Sequence, residues 1–334
     1  MKVIKFFAIS AMAAAMITSC SSEDELSQSN YPSDNIVRVT AGVNNAKTRA
    51  EGAGTPLEQP LSLTVVNKNA PKYTYTDKVF SKSSGDWACS ETLLWQKSDA
   101  LVDIVAFAPA QTGKFNGVYA NESIQPITYS VTDDQSTSSD NNDLLYYYAK
   151  DFKPGTSLDE NGKLSIQFNH AFCMIDINVT LGTEFNKPEV LKESPIVKVT
   201  LGGTKIAANV DVLNAASVVT ASGEAADITT TKGSFTPAEN ADKKADPEKN
   251  AISRFSCIAI PQTVAANTFK VSLMTAGKRY EWTSAEPVVL KSGYRYTLNL
   301  SMGNDVVLLK GGSDNGGITA TPWGPGTGGS LETD

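Results

Sequence analysis

Apolar and polar residues alternate along this chain in short runs, and turn-forming residues separate the runs. In the segment 172–181, five apolar side chains fall on one face of an extended chain, whereas Asp176, Asn178 and Thr180 fall on the other. A period of two is typical of a half-buried β-strand. Strands are predicted at 36–43, 61–66, 73–80, 101–107, 127–131, 144–148, 164–168, 172–181, 196–201, 206–212, 255–260, 269–274, 278–283 and 294–300. Many strands at this spacing predict an all-β sandwich or barrel fold.

The strands form two series, because the alternating pattern breaks at 182–192. We therefore predict an N-terminal domain at 50–185 and a C-terminal domain at 186–310. The glycine-rich stretch that opens 311–334 has the composition of a flexible hinge. The extended apolar segment beyond it, 318–323, is expected to have no strand partner in its own domain.

The first 49 residues differ in pattern from the rest of the chain. Lys2 and Lys5 precede an uncharged run from Phe6 to Ile17, which predicts a secretory signal at 1–19. The run is shorter than the ~20 apolar residues that span a bilayer. The residues Ile17-Thr18-Ser19-Cys20 resemble a bacterial lipobox, which implies acylation of Cys20 and a stable lipid anchor for the leader 20–49. Ordinary secretion, with Cys20 unmodified, is the alternative.

A strand and a loop follow within this leader. Val37, Val39, Ala41 and Val43 share one face of the predicted strand, and the loop 44–50 is polar and exposed by composition. Loops of this kind are frequent sites of proteolysis. A cut between Arg49 and Ala50 would separate the strand from everything downstream.

Charge and cysteine content narrow the classes of function. The 334 residues carry a formal charge of −7, and loss of residues 1–19 removes two lysines and brings it to −9. An acidic surface argues against nucleic acid and anionic lipid headgroups as partners. Three cysteines lie beyond the leader, Cys89, Cys173 and Cys257, and an odd number cannot all pair in disulfides. We therefore expect free thiols that are buried as small apolar groups.

No constellation of residues predicts catalysis or a metal site. His170 is the only histidine, and it would point away from Cys173, because odd and even residues of a strand face opposite sides. A Ser- and Asn-rich loop contains Asp133, Asp134, Asp140 and Asp143 but lacks the glycine and glutamate of a calcium loop. We therefore predict no enzyme activity, no cofactor and no metal.

Three consecutive tyrosines, Tyr146, Tyr147 and Tyr148, leave one binding function open. Successive strand residues would expose at least one ring, and an exposed ring could stack on a sugar. Packing into a core is the commoner outcome for an aromatic strand. Carbohydrate binding remains the alternative interpretation.

Several phrases in a fixed order resemble the fimbrillin family, the Mfa-like and FimA-like type V pilins of Bacteroidales. They are Trp95 followed by Asp103–Pro109 (DIVAFAP), Asp143–Tyr146 (DLLY) leading to Leu164–Phe172 (LSIQFNHAF), and Ile260–Thr263 (IPQT) followed by Ser292–Leu298 (SGYRYTL). Together with the lipobox they extend over nearly the whole chain.

The resemblance implies two tandem transthyretin-like β-sandwich domains. In such pilins an arginine-specific protease removes the leader, and the C-terminal strand of a neighbouring subunit fills the groove that is left. On this chain the resemblance implies cleavage after Arg49 and removal of the strand that carries Val37, Val39, Ala41 and Val43. The donor-strand residues that it implies are Val306, Leu308, Ile318, Ala320 and Trp323.

The implied partners are other copies of the chain or homologous fimbrial subunits. The implied location is the cell outer membrane, through the Cys20 lipid, and then a surface fimbria that could contribute to adhesion. Three alternatives remain open: an uncut anchor subunit, a tip subunit, and a monomeric surface lipoprotein that binds a glycan or a host protein.

Overall fold

The computed structural model describes residues 30–44, 55–110, 119–120, 122–137, 142–185, 193–238, 250–303, 307–309 and 318–323. The all-β prediction is confirmed. The strands, in chain order from β1 to β23, are Val39–Val43, Thr55–Pro56, Leu61–Val66, Tyr75–Ser83, Asp86–Cys89, Val102–Ala108, Tyr119–Ala120, Ser123–Ile124, Ile127–Ser130, Leu145–Phe152, Leu164–His170, Cys173–Leu181, Ile196–Val210, Val219–Thr229, Thr231–Thr236, Ile252–Ala259, Thr263–Val264, Lys270–Thr275, Arg279–Thr283, Val288–Val289, Tyr294–Met302, Val307–Leu309 and Ile318–Pro322.

Helical segments within the described residues are short. The α-helix α1 spans Pro154–Ser157, and two 3-10 turns span Pro71–Tyr73 and Thr183–Phe185. None of these helices has the length and apolar content needed to cross a bilayer.

The first hydrophobic core is enclosed by an eight-stranded sheet with the order β2-β1-β11-β10-β6-β3-β4-β5. Strand β1 lies near one end of this order and contacts β5 at the other end. The sheet therefore curls around its core. Leu61, Ile104, Leu164, Ile166 and Phe168 are fully buried inside it.

The second core lies between two further sheets. One sheet has the order β15-β16-β12-β21, with β22 and β23 both hydrogen-bonded to β21. The other has the order β14-β13-β18-β19, with β9 also pairing with β13. The alternation predicted at 172–181 is visible in β12, where Cys173, Ile175, Ile177, Val179 and Leu181 are buried and the residues between them are half-buried.

The two cores share strand β6, in which all seven residues are buried. Ile104, Ala106 and Ala108 face the first core, whereas Val105 and Phe107 face the second. This is why the segment reads in the sequence as a continuous apolar run and not as an alternating one.

The division of the chain between the cores differs from the boundary placed at 182–192. Strand β12 pairs with β16 and β21, and β9 pairs with β13, so both strands belong to the second core although they precede the boundary. The physical reason is that alternation reports that one face of a strand is buried, but it does not report against which sheet.

Candidate functional site

The leader segment 35–44 fills an opening along one edge of the first core. At its start, the Val37 amide donates to Leu93 O at 2.9 Å, and the Trp95 amide donates to Asn35 O at 2.8 Å. Strand β1 then runs parallel to β11 from Val39, opposite Leu164, to Val43. The segment thus contacts two separate stretches of the downstream chain.

The far end of the leader strand is held on both sides. Val43 lies opposite Thr55 of the short strand β2. The next residue, Asn44, donates from its backbone amide to Phe168 O and from its side chain to Asn169 Oδ1, each at 2.8 Å. The sequence did not indicate this clamp, because a single asparagine in a polar loop carries no pattern.

The leader segment 35–44 contributes side chains as well as hydrogen bonds to the first core. Val37 and Val39 are 4% and 3% exposed, and Ala41 and Val43 are half-buried against the same core. Burial of a valine side chain is worth about 1.5–3 kcal/mol, so these two valines contribute roughly 3–6 kcal/mol. The leader strand therefore completes a core that is otherwise made of downstream residues.

An exposed ion pair lies where the leader approaches the groove. Arg38 Nη1 donates to Asp34 Oδ1 at 3.0 Å, and this hydrogen bond lowers the pKa of Asp34 to about 2. Because both side chains are exposed, the pair contributes little stability.

The residues predicted for lipidation and cleavage, Cys20, Arg49 and Ala50, lie outside the described part of the chain. The described residues nearest to Arg49 are Asn44 and Thr55.

The C-terminal segment has a partner within its own chain, so the expectation that it lacks one is wrong. Strand β23 pairs antiparallel with β21, from Ile318 opposite Leu298 to Pro322 opposite Tyr294. Ile318 and Ala320 are half-buried against the second core. The outer edge of β21 was open for this pairing, since β12 occupies only its other edge.

The remaining predicted donor residues lie nearby in the chain. Leu308 is part of β22, which pairs with β21 beyond β23, and Val306 lies outside the described residues. Trp323 follows β23, and its ring stacks on His170 with 3.9 Å between ring centroids and 10° between ring planes. This contact joins the tail to the end of β11.

His170 and Cys173 each have a polar partner other than the other side chain. His170 Nδ1 lies 2.7 Å from Asp143 Oδ2, whereas the Cys173 thiol donates to Ala259 O.

Burial raises the pKa of the Cys173 and Cys257 thiols far above the ordinary value. The three cysteines are free thiols, as expected, but only Cys173 and Cys257 are buried, whereas Cys89 is half-buried. Over the described residues, no cluster of His, Cys, Asp and Glu could hold a metal ion.

The three tyrosines of β10 divide between the two cores. Tyr147 packs against the first core, and Tyr146 and Tyr148 pack against the second. Tyr148 also lines a cavity of about 450 Å³ together with Tyr119, Lys68 and Asp103. Packing is therefore the main role of these rings, and Tyr148 in addition faces an open space.

The polar loop 132–136 includes a buried side chain that the sequence did not reveal. Gln135 is fully buried, and its amide donates to Ile258 O at 2.9 Å and accepts from the Ile258 amide at 2.8 Å. It thus hydrogen-bonds to β16 as a neighbouring peptide group would.

Comparison with known proteins matches residues 44–323 to a family described as fimbrillin-like. A candidate cell adhesion protein from Bacteroides ovatus has a similar structure, with 14% identity, a TM-score of 0.59, and coverage of 86% of this chain and 97% of that chain. One from Bacteroides uniformis has 13% identity and a TM-score of 0.55, over 87% of this chain and 99% of that chain. At these identities the likeness establishes the fold. Among curated proteins, no match was found.

Proposed function

Since this chain belongs to the fimbrillin-like family, we propose that it is exported as a lipoprotein, cut after Arg49 and polymerised into a surface fimbria by strand exchange. The family consists of structural proteins of fimbriae, so the chain is a fimbrial protein of the cell surface and not an enzyme.

The observation that carries the proposal is the position of strand β1. Together with the residues just before it, this strand supplies two buried valines to the first core, and it pairs with β11 over five residues, yet it precedes Arg49 in the chain. After a cut at Arg49, loss of the strand would leave β11 with unpaired backbone groups beside apolar pockets. Such an edge is a template for another strand, and a strand from a second subunit can satisfy both needs.

The C-terminal tail has the side-chain spacing that this groove requires. The leader places Val39, Ala41 and Val43 at alternate positions, and β23 places Ile318, Ala320 and Pro322 at the same spacing. A branched residue is followed by alanine at the same place in both series. The tail can therefore occupy the groove with small adjustments of side-chain volume.

The precursor state follows from the same reasoning. Acylation of Cys20 would hold the uncut chain at the outer membrane, and the leader strand would keep the groove filled until an arginine-specific protease acts. The proposed partners are copies of this chain or homologous subunits, and an uncut chain would remain an anchor subunit.

Treatment of the purified chain from residue 20 with an arginine-specific protease tests the proposal. Cleavage after Arg49, read by N-terminal sequencing, should be followed by ladders of oligomers on unheated SDS gels. Arg49→Ala should remain monomeric, whereas the matched control Arg38→Lys should still form ladders. Deletion of 318–334 should abolish the ladders while the chain stays folded by circular dichroism.

Two outcomes would overturn strand exchange. Cleavage after Arg49 without oligomers at high protein concentration would favour a monomeric surface lipoprotein. Unchanged ladders after deletion of 318–334 would remove the tail as the donor.

The cavity that Tyr119 and Tyr148 line supports a second candidate function, glycan binding. Two tyrosine rings beside the Lys68–Asp103 ion pair, with Lys68 Nζ 2.8 Å from Asp103 Oδ2, combine a stacking surface with polar groups for hydroxyls. A glycan array would test it: binding should be lost in Tyr148→Ala, and retained binding would exclude this cavity.

A further inference from the structure

Trp323 stacks on His170 at the place where the end of the leader strand and the C-terminal tail come close together. A cavity of about 250 Å³ at this place is lined by Val43 from the end of β1, by Leu57, Asp143 and His170, and by Trp323 from the tail. The leader strand and the tail therefore approach the same side chains although they belong to different cores.

The His170 ring on which Trp323 stacks is held in place by a neighbouring carboxylate. His170 is 13% exposed in its side chain, and its ring is fixed by the contact with Asp143. The other carboxylate oxygen, Asp143 Oδ1, is buried and has no hydrogen-bond partner among the described residues. With Trp323 stacked on His170 this oxygen still has no partner, so the indole ring is held by the stack and not by a hydrogen bond from its N–H to Asp143.

The alternate-residue match between leader and tail fixes where Trp323 would arrive in a neighbouring subunit. With the incoming strand in the direction of β1 and Ala320 in the place of Ala41, Trp323 takes the place of Asn44. Asn44 is bonded to Asn169, the residue before His170. The tail would thus bring its indole to the His170 site of the neighbouring subunit.

We propose that His170 and Asp143 form an indole site that binds the chain's own Trp323 before assembly and the Trp323 of a neighbouring subunit after strand exchange. The site sets the register in which Ala320 replaces Ala41. This inference rests on the proposed function, since it needs the tail to move from one subunit to another.

A mixing experiment with cut subunits tests the inference. His170→Leu keeps a normal tail but has a defective site, whereas Trp323→Leu keeps a normal site but has a defective tail. Each variant alone lacks the stack both before and after exchange. In the mixture, Trp323 of the His170→Leu chain can reach His170 of the Trp323→Leu chain, and this pair gains a stack that neither variant has alone. Because an aromatic stack contributes about a two- to tenfold change in an equilibrium, mixed dimers should exceed dimers of either single variant by that factor on unheated SDS gels. Trp323→Phe in place of Trp323→Leu should give a smaller excess, because phenylalanine retains part of the stack.

Thr319→Ala, on the exposed face of the same strand, is the matched control and should polymerise normally. If mixed dimers form no more readily than dimers of either single variant, the indole site acts only within one subunit and the inference is wrong. If the unmodified chain itself forms no ladder, strand exchange fails instead, so the two failures are distinguishable.

Discussion

At the scale of single residues, some buried polar side chains have one specific hydrogen-bond partner, and Tyr296 is an example. Tyr296 is 4% exposed, and its hydroxyl oxygen accepts from the Lys291 amide at 2.8 Å. Burial raises the pKa of Tyr296 to about 12. The neutral phenol is therefore the form that the folded chain accommodates.

Tyr296 predicts a loss of stability at high pH. A tyrosine in an unfolded chain ionises near pH 10, so its contribution to the free energy of unfolding is present below pH 10 and declines as pH rises towards about 12. Tyr296→Phe should be about 1 kcal/mol less stable at pH 8, because the bond from Lys291 is lost, but it should decline less above pH 10. Urea unfolding across this pH range measures both. Parallel curves for the two proteins would contradict the assignment.

Gln135 gives a second prediction at this scale. Gln135→Ala leaves the Ile258 amide and carbonyl without the partners described above, and each unsatisfied buried group costs about 1–3 kcal/mol. The free energy of unfolding should fall by roughly 2–5 kcal/mol in urea titrations. Ser136→Ala, on the exposed neighbour, should change it by less than about 0.5 kcal/mol. Equal effects of the two substitutions would show that the amide bonds are not made.

Only some of the side-chain contacts in this structure could be predicted from the sequence. The rejection of a dyad between His170 and Cys173 assumed a single strand, whereas the structure places the two residues in β11 and β12. The polar contacts of both side chains still give no dyad. Gln135 and Asn44 could not be found, because an isolated amide side chain has no period and its partner lies more than a hundred residues away. The Trp323–His170 stack was hidden for the same reason.

At the scale of the strand, the contribution of the leader to stability depends on whether the chain has been cut and the strand replaced. It is bound by hydrogen bonds on two sides near Val43 and by two buried valines further upstream. Its contribution to stability should therefore appear before cleavage and vanish after the strand has been replaced.

Val39→Ala tests this dependence. In the uncut chain the substitution should lower the free energy of unfolding by about 1–3 kcal/mol, since it removes buried methyl groups. In oligomers whose leader has been removed it should have no effect. Thr40→Ala, at the neighbouring position of β1, is the control for the uncut chain. Thermal unfolding of both forms measures the difference, and an equal loss in the two forms would mean that the leader stays bound.

Most strands with clear alternation were predicted to within two or three residues, as for β3 and β12. Strands β14 and β15 were missed. Strand β14 is rich in Ala, Thr and Ser and is exposed over much of its length, so its apolar pattern is weak. It forms because it can pair with the edge of β13. The position of that edge is set by the fold and cannot be read from the residues of β14 itself.

At the scale of the whole molecule, the two cores are joined more closely than two separate domains would be. Strand β6 presents one face to each core, and β10 divides its tyrosines in the same way. The sequence predicted two series of strands but could not show that they share elements. Because the two cores share strands, the edge of the first core that binds the leader lies close to the tail, which packs against the second core.

The pairing of Val43 with Thr55 and the bonds from Asn44 do not depend on the chain connecting these residues. A protease cut therefore does not by itself empty the groove: it turns the leader into a ligand, held by a dissociation constant and released at its own rate. Mass action then applies, and a synthetic peptide of residues 30–44 should act as a competitive inhibitor of fibre growth, slowing light-scattering curves in proportion to its concentration. A scrambled peptide of the same composition should leave the curves unchanged.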